Sequence, residues 1–289
     1  MAQLKAWISL FRPHHYTKNI LLFAPLVFAR HWQAFPHTLA GFMAWSLLAS
    51  AVYAINDAQD APRDRLHPTK RFRPVASGII SPQQSLIAAI LLSIIGLTCA
   101  ALLKTSFFFI SLLYVLNNIL YTFWVKKLPL WDVFSISAGF LLRAYGGAAL
   151  GEIPISAYFF MCVFFLSLFL ALGKRRHELL LASDEAPAGR PALEGYSVYY
   201  LDQLMVITAT LALAVYMLYL MQGSFSWLMG TLPVAVMGIF RYYHLTHNKG
   251  RGEPSQDLFA DPLLLILGGI YGLLALLEML RVPFPSLPR

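Results

Sequence analysis

The apolar positions of this chain gather into long runs instead of alternating with polar ones. Such runs cover residues 18–33, 38–56, 82–103, 105–125, 132–151, 154–173, 203–221, 225–240 and 262–278. Lys18 and Arg30 flank a short core in the first run, and Arg143 interrupts the fifth. Runs of this length point to helices that cross a bilayer. The stretch from Gln203 to Phe240 is too long for one span at about 1.5 Å per residue. The polar turn Gln222-Gly223-Ser224 is the natural place to break it. The pattern predicts an all-α membrane protein of about nine transmembrane helices, with eight or ten also compatible. All of residues 1–289 read as a single polytopic membrane domain.

Composition agrees. The chain is 58% hydrophobic and only 12% charged, roughly half the charge of a soluble domain, and its mean hydropathy is +0.62. The formal charge of +8 is unevenly spread. With the amino terminus in the cytoplasm, the inner segments hold Lys5, Arg12, Lys18, Arg63, Arg65, Lys70, Arg71, Arg73, Lys126, Lys127, Lys174, Arg175, Arg176, Arg190, Arg241, Lys249 and Arg251. The outer segments hold Arg30, Lys104, Arg281 and Arg289. That bias orients the chain with its amino terminus inside. A basic face suits anionic head groups and phosphorylated substrates. Nucleic acid is not expected, because no soluble basic domain exists to bind it. Cys99 and Cys162 fall inside predicted spans and read as small apolar residues. No cleavable leader is expected, since only Trp7 to Phe11 separates Lys5 from Arg12.

Chemistry concentrates where the second run ends. Asn56, Asp57, Asp60 and Asp64 form an N-D-x-x-D-x-x-x-D cluster, with Arg63, Arg65, Lys70, Arg71 and Arg73 crowded around it. On a helix the three aspartates fall at about 0°, 300° and 340°, on one face. Pro62 clashes with the preceding turn, so the helix is expected to end there or to leave Asp64 on a loop. Ionisable groups at a span end are costly and commonly functional. Mg²⁺ takes few carboxylates and completes its shell with water and substrate phosphates. Asn56, Asp57, Asp60 and Asp64 are therefore the candidate metal ligands. The cations Lys70, Arg71 and Arg73 suit phosphate, although any inner loop would carry such charges.

Other groups join this constellation. Lys174, Arg175 and Arg176, in Gly173-Lys174-Arg175-Arg176-His177-Glu178, follow the sixth run, and Tyr196, Tyr199, Tyr200 and Asp202 close the same loop. The two charged inner loops lie four helices apart, which would place both over one central cavity if the chain forms two four-helix halves. Arg143 shares a helix face with Asp132, about 20° apart after eleven residues. It is a candidate for substrate binding or for a structural ion pair. Lys18, in Arg12-Pro13-His14-His15-Tyr16-Thr17-Lys18-Asn19, either snorkels to the interface or points into the site.

Together these residues resemble the UbiA superfamily of intramembrane prenyltransferases. The resemblance rests on the N-D-x-x-D-x-x-x-D motif after a transmembrane run, the following Arg73-Pro74, and the two charged inner loops. It implies a helical bundle around a central cavity, with cytoplasmic loops that bind Mg²⁺ and a diphosphate. Aromatic-prenylating members carry a second acidic motif where this chain reads Lys174-Arg175-Arg176-His177-Glu178. That basic string, His67 to Gly78, Arg12 to Asn19 and Gly139 to Gly147 are instead similar to the decaprenyl-phosphate phosphoribosyltransferase branch. That branch joins phosphoribosyl pyrophosphate to a polyprenyl phosphate, a step toward arabinofuranosyl donors, in the bacterial inner membrane. The resemblance implies catalytic roles for Asp57, Asp60, Asp64, Lys70 and Arg73. It implies substrate binding by Lys18, Asn56, Arg71, Arg143, Lys174, Arg175, Arg176 and Tyr196. Either basic group would hold the 5-phosphate. A homo-oligomer is compatible with lipid-facing helices. The competing expectations are a prenyltransferase acting on an aromatic or quinone precursor, and a transporter of a phosphorylated solute.

Overall fold

In the computed structural model, the structure describes residues 2–67, 69–184, 191–222, 226–248 and 260–280. All regular elements among them are helical. They are α1 (Ala2–Phe11), α2 (Ala24–Ala29), α3 (Phe35–Asp64), α4 (Pro82–Leu103), α5 (Thr105–Phe123), α6 (Trp131–Gly151), α7 (Ala157–Asp184), α8 (Val198–Met221), α9 (Thr231–Asn248) and α10 (Pro262–Met279), with short 3₁₀ turns between. Seven of these, α3 to α8 and α10, are long and apolar enough to cross a membrane. The 22 residues of α4 span about 33 Å, enough for a hydrocarbon core of about 30 Å. Ile87, Ile90, Leu91 and Ile94 of α4, and Leu265, Ile266 and Leu273 of α10, are exposed. Such apolar faces would be a liability in water and are the expected surface in lipid.

Two predicted spans take other forms. The run 18–33 is no continuous α-helix: a 3₁₀ helix, Pro13–Phe23, leads into the six-residue α2. Long 3₁₀ runs are uncommon. Here Pro13 opens the segment and Pro25 opens the next one, while the backbone is held against α6. A Cβ on Gly147 of α6 would lie 1.8 Å from the Leu22 carbonyl oxygen, so only glycine permits this approach. The run 225–240 becomes a short 3₁₀ turn and α9, which carries Arg241, His244 and His247 and is too polar to count as a span. The break before it holds, since α8 ends at Met221. Gly223 and Ser224, and the basic residues Arg190, Lys249, Arg251, Arg281 and Arg289, lie outside the described residues.

Contacts divide the chain into two compact units, one running from the amino terminus to Pro154 and one holding α7 to α10. In the first unit, small residues bring α3 close to its neighbours, as expected for helices that associate in lipid. Ala51, Ala54 and Ala61 of α3 pack with Ala6 and Leu10 of α1 and Ala89 of α4. Ser85 of α4 donates to the Ala54 carbonyl at 2.9 Å. Deeper along α3, Trp45 stacks on Tyr114 of α5 at 4.5 Å and donates to Ser111 Oγ at 2.6 Å. In the second unit, Tyr242 of α9 packs on Phe169 of α7 at 5.4 Å. Tyr216 of α8 reaches the hydroxyls of Thr231 and Tyr271.

Candidate active site

Helix α3 carries the acidic cluster out to its last residue. Pro62 sits inside α3, and Asp64 is helical, not on a loop. The proline lies two residues from the helix end, where few intrahelical bonds remain to be lost. Asn56, Asp57, Asp60 and Asp64 therefore occupy one regular helix, and its geometry divides them between two flanks.

Asp57 and Asp64 form the first flank, and both are buried. Arg12 donates to Asp57 Oδ1 at 2.5 Å and lies 4.9 Å over the Tyr53 ring. Arg73 donates to Asp64 Oδ2 at 2.6 Å and stands 3.6 Å from Asp57 Oδ1. Arg12 is placed by an unusual backbone. Its φ is 51°, in the left-handed region that non-glycine residues seldom adopt. Ala6 and Leu10 anchor α1 just before it. Ser50 of α3 donates to the Phe11 carbonyl at 3.1 Å, and Tyr16 pairs with the Ser50 hydroxyl at 2.7 Å. Strain of this kind persists where the surroundings fix it.

Asn56 and Asp60 form the second flank, against the end of α5. Thr122 Oγ1 donates to Asn56 Oδ1 at 2.5 Å, and Lys126 Nζ to Asp60 Oδ1 at 2.6 Å. Lys126 is buried, whereas the Asp60 side chain is 30% exposed.

Between α3 and α4 the basic loop folds over its own imidazole. His67 Nδ1 accepts the Thr69 and Lys70 amides at 3.3 and 3.4 Å. Partial burial, reinforced by the Lys70 charge, holds this imidazole below its ordinary pKa, so the neutral acceptor form is favoured. Arg71 is exposed and stacks on Phe72 at 4.8 Å. Arg73 of this loop is ion-paired to Asp57 and Asp64.

Arg143 lies deeper in the first unit. It donates to Asn19 Oδ1 at 3.0 Å, the Gly139 carbonyl at 2.9 Å and the Tyr114 hydroxyl at 2.9 Å, with its guanidinium 4.8 Å over the Tyr114 ring. Asn19 thus ties that segment to Arg143; Lys18 is half-buried on the same 3₁₀ helix. Asp132 shares the face but stands about 16 Å along the axis. It occupies the first turn of α6, where the helix dipole favours an acid.

The second basic string lies within α7, which continues to Asp184, and not on a loop. Arg175 is fully buried and donates to Glu178 at 2.5 Å. Arg176 donates to Asp202 Oδ1 at 2.6 Å and to the Thr246 carbonyl at 2.8 Å; His247 Nε2 reaches the same aspartate at 2.9 Å. Lys174 is half-buried. Tyr196 is buried and stacks on Tyr200 at 6.4 Å. All of these contacts lie within the second unit.

Arg12, Thr122 and Lys126 are contacts of the acidic cluster that sequence reasoning did not single out. Lys126 counted there only as topological charge, and Arg12 only as such a charge and as the first residue of the Arg12–Asn19 segment. One signal was available for Arg12: it directly precedes a proline at the start of a polar segment.

The profile of the UbiA prenyltransferase family matches residues 20–270. The chain belongs to this family. Decaprenyl-phosphate phosphoribosyltransferase of Mycobacterium tuberculosis is 32% identical over 270 residues, covering 90% of this chain and 89% of the relative. Nodulation protein NoeC of Azorhizobium caulinodans is 34% identical over 288 residues, covering 92% and 91%. Among solved structures, a UbiA homolog from Archaeoglobus fulgidus bound to GPP and Mg²⁺ superposes with a TM-score of 0.73 at 18% identity, over 96% of this chain and 100% of that one. The UbiA fold and an integral membrane setting follow, and so does a transferase of the UbiA type.

Proposed function

We propose that this protein transfers 5-phosphoribose from phosphoribosyl pyrophosphate to a polyprenyl phosphate at the cytoplasmic membrane face, releasing diphosphate. The reading is carried by relatives named decaprenyl-phosphate phosphoribosyltransferase, at about 32% identity over nine-tenths of the chain. The C1–O bond to diphosphate breaks with its electron pair leaving on diphosphate, and a lipid phosphate oxygen forms the new C1–O bond. That oxygen is already anionic near neutral pH, so positioning and charge stabilisation carry more of the work than a strong base.

The acidic cluster fits a divalent cation shared with a diphosphate, not a dedicated protein cage. No group of three or more carboxylates, imidazoles or thiols suited to a metal converges among the described residues. Asp57 Oδ2, however, is buried with no hydrogen-bond partner. Mg²⁺ typically takes one or two carboxylates plus phosphate oxygens. Asp57, with Asp60 and Asp64, would hold Mg²⁺, and the solved homologue that carries Mg²⁺ and GPP supports this choice. Bound there, Mg²⁺ supplies Lewis-acid neutralisation of the departing diphosphate. Arg73 and Arg12, which now sit on the carboxylates, are the nearest cations to turn toward phosphate oxygens. Lys70 and Arg71, on the loop that carries Arg73, would serve as further phosphate ligands. Asn56, held by Thr122 of α5, would join these groups as a further metal and substrate ligand. Lys18, Arg143, Lys174, Arg175, Arg176 and Tyr196 remain assigned to substrate binding; Arg175 and Arg176 would have to exchange Glu178 and Asp202 for phosphate.

The test is a transfer assay in detergent with Mg²⁺ and labelled phosphoribosyl pyrophosphate. Label should enter a polyprenyl phosphate and be lost in Asp57→Asn. A parallel tube with a prenyl diphosphate and an aromatic acid guards the alternative. Turnover there, with none of the lipid-linked label, would sink the proposal.

A further inference from the structure

Helix α1 carries more apolar surface than the protein covers. With Ala6 as origin, Leu10 falls at roughly 40° around the helix, Trp7 at roughly 100°, Phe11 at roughly 140°, Leu4 at roughly 160° and Ile8 at roughly 200°. Lys5 and Ser9 follow at roughly 260° and roughly 300°. Gln3, in the first turn, is the one polar residue inside the apolar arc. The bundle covers only the start of that arc. Ala6 and Leu10 are buried in a cluster with Ala51, Ala54 and Ala61 of α3 and Ala89 of α4, and Trp7 and Phe11 pack against it. Leu4 and Ile8 are left 66% and 52% exposed. Lys5 and Ser9 are exposed as well. The helix thus has one side on the protein, one apolar side uncovered and one polar side. That division fits a helix lying between acyl chains and head groups.

We propose that Leu4 and Ile8 seat α1 in the head-group layer of the bilayer, with phospholipid as the partner, and that this seat keeps Arg12 at Asp57. Two observations place lipid there. Leu92 of α4 packs on the same cluster as Trp7 and Phe11, while Leu86, Ile87 and Ile90 of that membrane-spanning helix are exposed. The helix α1 therefore stands beside a surface already turned to lipid. It also stands at the span end that carries the acidic cluster, since Arg12 follows its last residue and meets Asp57. Lys5 borders the uncovered apolar side, where its stem can lie along acyl chains and its ammonium reach a lipid phosphate. The link to Arg12 is short. The Arg12 amide donates to the Ile8 carbonyl at 3.2 Å, so the residue that enters lipid also holds the one that grips Asp57. A helix of ten residues is too short to persist alone. The bundle restrains it on one side, through Ser50 and the Phe11 carbonyl, and lipid restrains it on the other. The left-handed backbone of Arg12 needs such a frame.

The experiment is site-directed spin labelling of the full chain in nanodiscs of phosphatidylcholine and phosphatidylglycerol. Single labels at Leu4→Cys, Lys5→Cys, Ile8→Cys and Ser9→Cys are placed in a Cys99→Ala/Cys162→Ala background. Collision with dissolved oxygen reports acyl chains, and collision with a water-soluble nickel chelate reports solvent. Labels at Leu4 and Ile8 should favour oxygen, and labels at Lys5 and Ser9 should favour nickel. The link to Arg12 is read as deuterium uptake between Trp7 and Arg12 in Leu4→Gln/Ile8→Gln. Glutamine forms helix about as well as leucine, so this variant removes the apolar contact and keeps the helical preference. Its uptake should rise several-fold over wild type, as expected when a segment opens locally, whereas Ser9→Gln should match wild type. Nickel-favouring labels at Leu4 and Ile8 overturn the proposal. Labels there shielded from both reagents also overturn it, and place a second copy of the chain on this face. Oxygen-favouring labels with unchanged uptake in Leu4→Gln/Ile8→Gln overturn the link to Arg12. None of these outcomes depends on which reaction the protein catalyses.

Discussion

Removing Arg12 should harm this protein more than removing the aspartate it serves. Asp57 is 1% exposed, and its Oδ1 holds Arg12 at 2.5 Å. Oδ2 is already without a donor. Arg12→Gln therefore strands a buried carboxylate beside Arg73, which stands 3.6 Å away. Breaking a buried pair from one side costs about 3–5 kcal/mol. The retained Arg73 favours the lower end. Protonation caps the loss, because neutralising an ordinary aspartate at pH 7 costs about 4 kcal/mol at 1.36 kcal/mol per unit. About 3 kcal/mol is the expected cost of Arg12→Gln. Asp57→Asn removes the charge that needs Arg12 and leaves a hydrogen-bonding amide, so about 1 kcal/mol is expected. The double variant should be more stable than Arg12→Gln alone, a non-additivity that pairs in contact show. Unfolding in mixed micelles at pH 7, followed by tryptophan fluorescence, gives the three values. At pH 5 the Arg12→Gln deficit should shrink, since the escape by protonation becomes easier. Asp57→Asn as damaging as Arg12→Gln, or a strictly additive double variant, would refute the reasoning.

Three further outcomes are expected. Gly147→Ala places a Cβ 1.8 Å from the Leu22 carbonyl oxygen and 2.6 Å from its carbon; because both are backbone, the variant should lose about 3 kcal/mol or more, and an unchanged melting temperature would contradict the close approach. Glu152 is held below the ordinary glutamate pKa first by the hydrogen bond from Lys104; its contribution is present above the unfolded value of about 4.3 and lost as pH falls through the folded one, so wild type and Glu152→Gln should converge in stability at low pH while transfer activity at pH 7 is the same in both. His67 is likewise depressed, so the order it lends the basic loop is present above about pH 6.5 and lost as pH falls; the protection factors of the Thr69 and Lys70 amides, exchange rates taken relative to the intrinsic rate at each pH, should fall between pH 7.5 and 5, and pH-independent protection would argue against the acceptor role.

Much of this architecture was legible without coordinates, because membrane insertion acts on local composition. A run such as Pro82 to Leu103 can satisfy its backbone in lipid only as a helix, whatever its neighbours do. The acidic helix was legible in part: a period of 3.6 residues puts Asp57 and Asp60 near one face wherever the chain goes, whereas Pro62 pointed to an earlier end and Asp64 is nonetheless helical. Local reasoning failed at the first run. There the departure from an α-helix tracks Gly147, more than a hundred residues away, together with two prolines. It failed again at α7, where an apolar span keeps its helix through the basic string to Asp184. Which cation meets which aspartate was not legible at all. Arg12 reaches Asp57 across 45 residues, Lys126 reaches Asp60 across 66, and Asn19 reaches Arg143 across 124. Charge bias alone assigns Arg12 and Lys126 to the inner face, since insertion reads only which side of the membrane a charge is on. The tertiary structure decides the pairing, because a buried charge must be met by whichever partner the packed helices bring within about 3 Å.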